Sequence, residues 1–400
     1  MARFNPTATV LLLACLAGAC EAPPEDSDFV QTDSAGVAIL ESFRAAWETE
    51  PGWTVAVEPE LAIGAGPAGG DDPNHPPWGR VRGPRVLSNG SLVAGDVSTS
   101  EVMVFDSAGQ FTHRFGGQGD GPGELEDFST VLTCEGDTII AAGLYAFNYF
   151  AADGRFLRRL ATVDGRTQIP MSVFLQSGDC RRFLVTDDRY RTSEPEGPEG
   201  LTYWDFAWTD ESFMERDTVA RVIEGHEIRY ERIFSRAVPW TTRVLPIRLT
   251  GDDLLFGYSQ RTEIRIVASD GSLKRILRWH ATPDPITAEE RQRWNEEQPV
   301  GRESGRRIQL DDFPWLPEHK AFFDRLLADD EGNIWVRTPL PPDPAPEQWT
   351  VLSSGGRWLG VVRMPDGFGL SQVARGRIYG IHRDELGVPT VRVHRLAGRG

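Results

Sequence analysis

The sequence predicts an all-β fold, a six-bladed β-propeller of four-stranded antiparallel blades. Three observations predict it. A unit of short apolar stretches, punctuated by Asn-Gly, Asp-Gly and Gly-Asp pairs, recurs at a spacing of roughly 40–50 residues. Glycine (41) and proline (28) are frequent enough to cut the 400 residues into many short elements rather than long helices. The last copy of the unit stops one strand short, and a matching strand occurs near the start of the chain.

The copies follow in order. The first runs from Arg85 to Asp96 and from Val102 to Phe115. The second runs from Val131 to Ala142 and from Phe147 to Leu160, so that the turn glycines Gly109 and Gly154 stand about 45 residues apart. A third, looser copy covers Phe174 to Val185 and Tyr203 to Phe206, with a polar loop at 187–200 inside it. The fourth covers Ile247 to Phe256 and Ile264 to Leu277, and the fifth Leu326 to Val336 and Trp349 to Leu359. The sixth, Gln372 to Ile381 and Val391 to Leu396, has three strands only. The Gly-containing pairs supply the positive-φ positions that tight hairpins need. Trp53 to Ile63 alternates and ends in Gly64 much as Phe115 ends in Gly116, so it is expected to complete the sixth blade and remove both free sheet edges. Gly36 to Leu40 is expected to add a further edge strand; seven blades is the alternative count.

An insertion at 281–325 breaks the period between blades four and five. Thr287 to Glu290 reads as a capping box opening a helix to about Glu297. Pro317 to Leu327 reads as a second short helix with proline in its first turn.

The N-terminus carries an address. Val10 to Gly18 is apolar but too short to span a bilayer, which suits the core of a signal peptide. It ends in Leu16-Ala17-Gly18-Ala19-Cys20, which resembles the lipobox of bacterial lipoproteins. That resemblance implies a signal peptide at 1–19, a diacylglyceryl- and palmitate-type modification of Cys20, and a polar tether at 20–34 ahead of one propeller domain at 35–400. Glu21 after the cysteine implies the outer membrane by the same resemblance.

Val104-Phe-Asp-Ser-Ala-Gly-Gln-Phe111, followed by the glycine-rich run Phe115 to Phe128, resembles the NHL-type repeat and, more closely, six-bladed propeller lipoproteins of environmental bacteria. Asp329-Asp-Glu-Gly-Asn-Ile-Trp-Val336 is similar to a unit common in the same propellers. The resemblance implies the fold over nearly all of the mature chain and leaves activity open.

With a net charge of −17 and only two lysines, Lys274 and Lys320, the chain is repelled by nucleic acid, which is excluded as a partner. Two of the four cysteines, Cys134 and Cys180, fall in corresponding first turns of consecutive blades; a disulfide between them is geometrically sound in an exported protein, against two free thiols as the alternative. The seven histidines show no metal-ligand spacing, and His113 and His394 fall on outer parts of blades, where they are expected to face solvent. His75, Glu124 and Asp127 lie on crossovers into inner strands and are candidate ligand-binding residues. Arg80 and Arg82, flanking the start of an inner strand, are candidates for an anionic ligand at the channel mouth. The glycine-rich loop Gly116 to Glu124 offers amides for an anion nest, with close backbone passage as the structural alternative.

Two functions remain. One is a membrane-anchored platform binding a protein or small molecule, with no cofactor. The other is a metal-dependent hydrolase or lyase, lactonase-like, with calcium or zinc on the propeller axis.

Overall fold

The computed structural model describes residues 27–64, 72, 74, 76–143, 145–161, 171–187, 201–213, 217–230, 234–237, 240–241, 244–298, 300, 305–307, 309–312, 317–341 and 344–398. Cys20 and His75 lie outside them.

The strands fall into six sheets around one axis, antiparallel except where a strand of the N-terminal segment joins blade four. Blade one is β5 (Val81–Val86), β6 (Leu92–Asp96), β7 (Glu101–Phe105) and β8 (Phe111–Gly116), hydrogen-bonded in that order. Blade two is β9 (Phe128–Thr133), β10 (Ile139–Gly143), β11 (Ala146–Phe150) and β12 (Phe156–Ala161). Blade three, β13 (Met171–Gln176) to β17 (Phe234–Ala237), carries a fifth strand because its outer hairpin is long. Blade four is β18 (Ile247–Arg248), β19 (Leu254–Gly257), β20 (Glu263–Val267) and β21 (Leu273–Trp279); blade five is β22 (Arg325–Ala328), β23 (Ile334–Arg337), β24 (Gln348–Leu352) and β25 (Trp358–Arg363). Blade six has three of its own strands, β26 (Phe368–Ala374), β27 (Arg377–Arg383) and β28 (Pro389–Ala397).

The period-two pattern explains why the sheets stack. Along β6, Leu92 and Ala94 turn to the seam with blade six, while Val93 turns to the seam with blade two. Both faces of each blade are therefore apolar, and the buried residues form six clusters, one per seam. At the hairpin ends Gly109 and Gly154 adopt φ of 80° and 82°, the conformation their turns require. The Asp329 carboxylate organises its own turn: it accepts from the amides of Glu331 and Asn333, from Asn333 Nδ2 and from Trp335 Nε1 at 2.8–3.1 Å. The Asp-x-x-Gly-x-Ile-Trp motif is thus a turn device whose tryptophan is fully buried.

The ring closes as the sequence predicts. β3 (Thr54–Val55) and β4 (Leu61–Ile63) both pair antiparallel with β28, so the last blade takes its outer strand from the N-terminal segment. The edge strand expected at Gly36 to Leu40 forms, and it joins blade four. β1 (Phe29–Ser34) and β2 (Val37–Ser42) make a hairpin, and β2 runs parallel to β21 of blade four. Strand pairing begins at Phe29, within the 20–34 stretch that the sequence assigns to a tether.

Between these two anchorages the chain crosses blade five. Trp358 N–H donates to the buried Ser42 hydroxyl at 2.9 Å, and Trp47 lies over Gly360 of β25, where a Cβ would overlap the indole. Trp53 then approaches Trp335, ring centroids 5.9 Å apart. Residues 29–63 therefore belt the outer rims of blades four, five and six.

In the insertion, the capping box forms as read: Glu290 N–H donates to Thr287 Oγ1 and Thr287 N–H to Glu290 Oε2, opening α1 (Ala288–Glu297). The second expected helix is absent. Residues 317–324 are irregular apart from the bridge between Pro285 and His319, and Arg325–Ala328 is the inner strand of blade five. Leu326 and Leu327 must serve opposite seams, one with blade four and one with blade six, which a strand allows and a helix does not.

Candidate functional site

The inner strands β5, β9, β13, β18, β22 and β26 present their unpaired edges to the axis. Both faces of every sheet are packed against neighbouring blades, so water reaches residues within these strands chiefly along the channel. Arg82 and Ser129 are exposed; Thr130, Arg85, Arg325, Ser371 and Gln372 are half-buried. Among the described residues, the axis thus presents these polar groups to water.

At one end the first turns of neighbouring blades are bonded to one another. Ser88 N–H donates to Asp137 Oδ1 at 2.7 Å, Glu135 N–H to Gly178 O at 2.8 Å, and Gly178 N–H to Asp252 Oδ1 at 2.9 Å. Arg375 N–H donates to Asp330 Oδ2 at 2.8 Å, and its guanidinium reaches the Ser88 carbonyl. Cys134 and Cys180 are disulfide-bonded in this ring, Cα atoms 5.7 Å apart, linking blades two and three as equivalent turns allow. Carboxylates at this end hold blades together.

The opposite end receives the crossovers that carry the candidate residues. Arg80 donates its N–H to Asp96 Oδ1 at 2.9 Å, and its side chain is exposed. Arg82 lies one step inside, its Nη1 3.2 Å from the Val81 carbonyl. Asp127 Oδ2 accepts from Tyr145 N–H at 2.5 Å. Glu124 Oε2 accepts from Gly121 N–H at 2.9 Å, and a Cβ at Gly119 would overlap that carboxylate. The nest offered by the glycine-rich loop is thus filled by the loop's own Glu124. The structure brings Arg80 and Arg82 to one mouth; Asp127 and Glu124 each fasten a loop locally.

Deeper on the axis sits a cluster that sequence reasoning missed. β26 carries a bulge between Leu370 and Gln372, which leaves Ser371 outside the ladder. Arg85, from β5 on one side, donates Nη1 to Ser371 O at 2.7 Å; Arg325, from β22 on the other, donates Nη1 to Leu370 O at 2.9 Å. A bulge between Arg82 and Arg85 lets both arginines of β5 serve the channel despite their odd spacing. Burial, and then the nearby Arg325 charge, pull the Arg85 guanidinium down to about 10, so it remains charged at neutral pH. Burial and Arg337 likewise lower Arg325. The adjacent carboxylates are committed elsewhere. Arg337 takes Asp324 in a two-pronged contact at 2.8 and 3.0 Å and Glu347 at 2.8 Å, while Glu347 also accepts from Trp349 Nε1 and Leu370 N–H. The only sequence signal was a second arginine, Arg85, in an inner strand; Arg325 was concealed by the helical reading of Pro317 to Leu327.

The histidines correct another expectation. His394 is fully buried: its Nδ1 donates to Ala56 O at 2.9 Å, and its ring meets Phe368 edge-on. It is covered because the belt lies over β28. His113 is half-buried, its Nε2 enclosed. Among the described residues no three histidine, cysteine, aspartate or glutamate side chains are grouped to hold a metal. A cavity of about 250 Å³ lies in the seam of blades three and four, lined by Val219, Val222, Phe256, Val267 and Leu273.

No family model matches the chain, and no curated protein matches it. Among solved structures it is similar to a member of the DUF4221 family from Bacteroides vulgatus, with 11% identity and a TM-score of 0.51 over 86% of this chain and 98% of that one. It is also similar to a protein of Bacteroides fragilis described as exported, with 14% identity and a TM-score of 0.50 over 90% of this chain and 99% of that one. At such identities the likeness establishes the fold: the chain is a six-bladed β-propeller of the kind found in those proteins.

Proposed function

We propose that the protein is an exported, lipid-anchored binding propeller that receives its ligand at the open mouth of the axial channel. The observation that carries this is the axis itself, whose inner strands expose Arg82 and Ser129 at one mouth, while at the other end the turns of neighbouring blades are bonded to one another. Cationic and hydroxyl groups there can recognise a ligand without performing chemistry on it, and Asp127 and Glu124 are held in local turns rather than aimed across the axis. The lipobox-like run ending at Cys20 supports anchorage. The chain between Cys20 and Phe29 is long enough to hold the ring just clear of a membrane. The exported relative from Bacteroides fragilis is consistent with an extracytoplasmic address.

The test is metal content and a melting curve of the purified protein with and without EDTA, beside membrane fractionation of Cys20→Ser. No stoichiometric metal, an unchanged melting curve and release of the variant from membranes are expected. One calcium or zinc per chain whose removal lowers the melting temperature would overturn the binding reading in favour of a hydrolase or lyase. Retention of Cys20→Ser on membranes would overturn the anchor.

A further inference from the structure

We propose that Arg85 and Arg325 form an oxyanion subsite on the propeller axis, which takes the carboxylate or phosphoryl group of a small ligand. This rests on the binding reading above and names the ligand chemistry of that channel.

The geometry supports it in four ways. The two guanidiniums approach from opposite sides and end on consecutive carbonyls of β26, Ser371 and Leu370, so both are brought to one short stretch of backbone. Each spends one Nη1 on that carbonyl, and a guanidinium has five N–H donors in a planar fork suited to oxyanions. Among the described residues no carboxylate lies in ion-pair contact with Arg85, and the two acids nearest Arg325, Asp324 and Glu347, are bound to Arg337. Arg85 and Arg325 are both half-buried, so water reaches them. In a chain of net charge −17, a half-buried arginine without an acidic partner is a cost to the fold that a bound anion would offset. Arg82, exposed nearer the mouth, adds an attractive field along the path.

The experiment titrates the purified full chain with potassium malonate, potassium acetate and inorganic phosphate, each against potassium chloride at equal ionic strength. Binding heat and melting temperature are both followed. A saturable response beyond that of chloride is expected. If phosphate alone gives it, the ligand class is phosphorylated; if the carboxylates alone give it, the class is an organic acid; either supports the subsite. Arg85→Met should weaken binding by at least about tenfold, the loss expected of a charge-assisted hydrogen bond. Without anion it should melt no lower than the wild type, because a half-buried charge without an acidic partner is gone. Arg85→Lys, which keeps the charge but not the fork, should fold and bind at least several-fold more weakly, and it decides the matter should Arg85→Met not fold. A response no greater than chloride, or one unchanged in both variants, overturns the subsite. So does an Arg85→Met protein that merely melts lower, which would make Arg85 a clasp between blades one and six. Such a failure, with protein that is metal-free and indifferent to EDTA, leaves the binding reading intact with an uncharged ligand or a protein partner. A stoichiometric metal would instead remove the binding reading and leave the anion result to stand by itself.

Discussion

The belt of residues 29–63 makes a demanding prediction at Leu40. This residue lies on β2, is 5% exposed, and packs into the seam of blades four and five with Leu255, Leu277, Trp279, Phe323 and Leu326. It also lies against Gly356 of blade five, where even a Cβ would crowd its side chain. β2 is held in place by its parallel pairing with β21, so the site cannot collapse to fill the space left by Leu40→Ala. Buried Leu→Ala changes cost 2–5 kcal/mol, and a clamped site of this burial argues for about 3 kcal/mol. With a urea slope near the upper end for single domains, the unfolding midpoint should fall by roughly 1 M at unchanged slope. Val57→Ala, at a side chain 81% exposed on the same belt, should move stability by no more than about 0.5 kcal/mol. Urea unfolding followed by tryptophan fluorescence measures both. A Leu40→Ala protein that unfolds with the wild type would refute the belt and return residues 29–42 to the status of a passive tether.

Two further outcomes are expected. The Cys134–Cys180 bridge spans a sequence separation of 46, so reduction, or Cys134→Ala with Cys180→Ala, should lower stability by about 4 kcal/mol on the chain-entropy account, read from urea midpoints with and without reductant. Burial holds both His394 and His382 below the ordinary histidine value of 6.5, with the neighbouring Arg392 adding to the effect. The unfolded chain therefore takes up protons first as pH falls, so the stability from these two groups is complete above pH 6.5 and is lost below it, towards their folded values. A pH series of melting curves should show that decline, and His394→Gln should flatten it; an equally steep profile in the variant would refute the assignment.

The legibility of the chain differs from element to element. Blade one could be read because Asn89-Gly90 and Asp106 to Gly109 mark two of its three hairpins, and because its strands alternate between two apolar seams. Closure of blade six could be read because the unit was one strand short. The capping box at Thr287 could be read because it is a contact between neighbours in sequence. Pro317 to Leu327 misled because eleven residues with a proline at the front fit a helical turn about as well as a loop and a strand, and only the two seams decide. His394 misled because exposure of an outer strand depends on whether another segment lies over it.

By itself, the sequence determined the all-β class, the shared last blade and the position of the helical insertion, and it favoured six units over seven and a Cys134–Cys180 bridge over two free thiols. These follow from turn chemistry and period-two alternation, which are local, and from counting strands. Only the tertiary structure decided that β2 joins blade four, that Glu124 fills its own loop, and that Arg85 and Arg325 meet across β26. Arg85 and Arg325 are far apart in sequence and share no spacing. What unites them is ring closure, which sets the first inner strand beside the last, and a one-residue bulge that frees the Ser371 carbonyl between them.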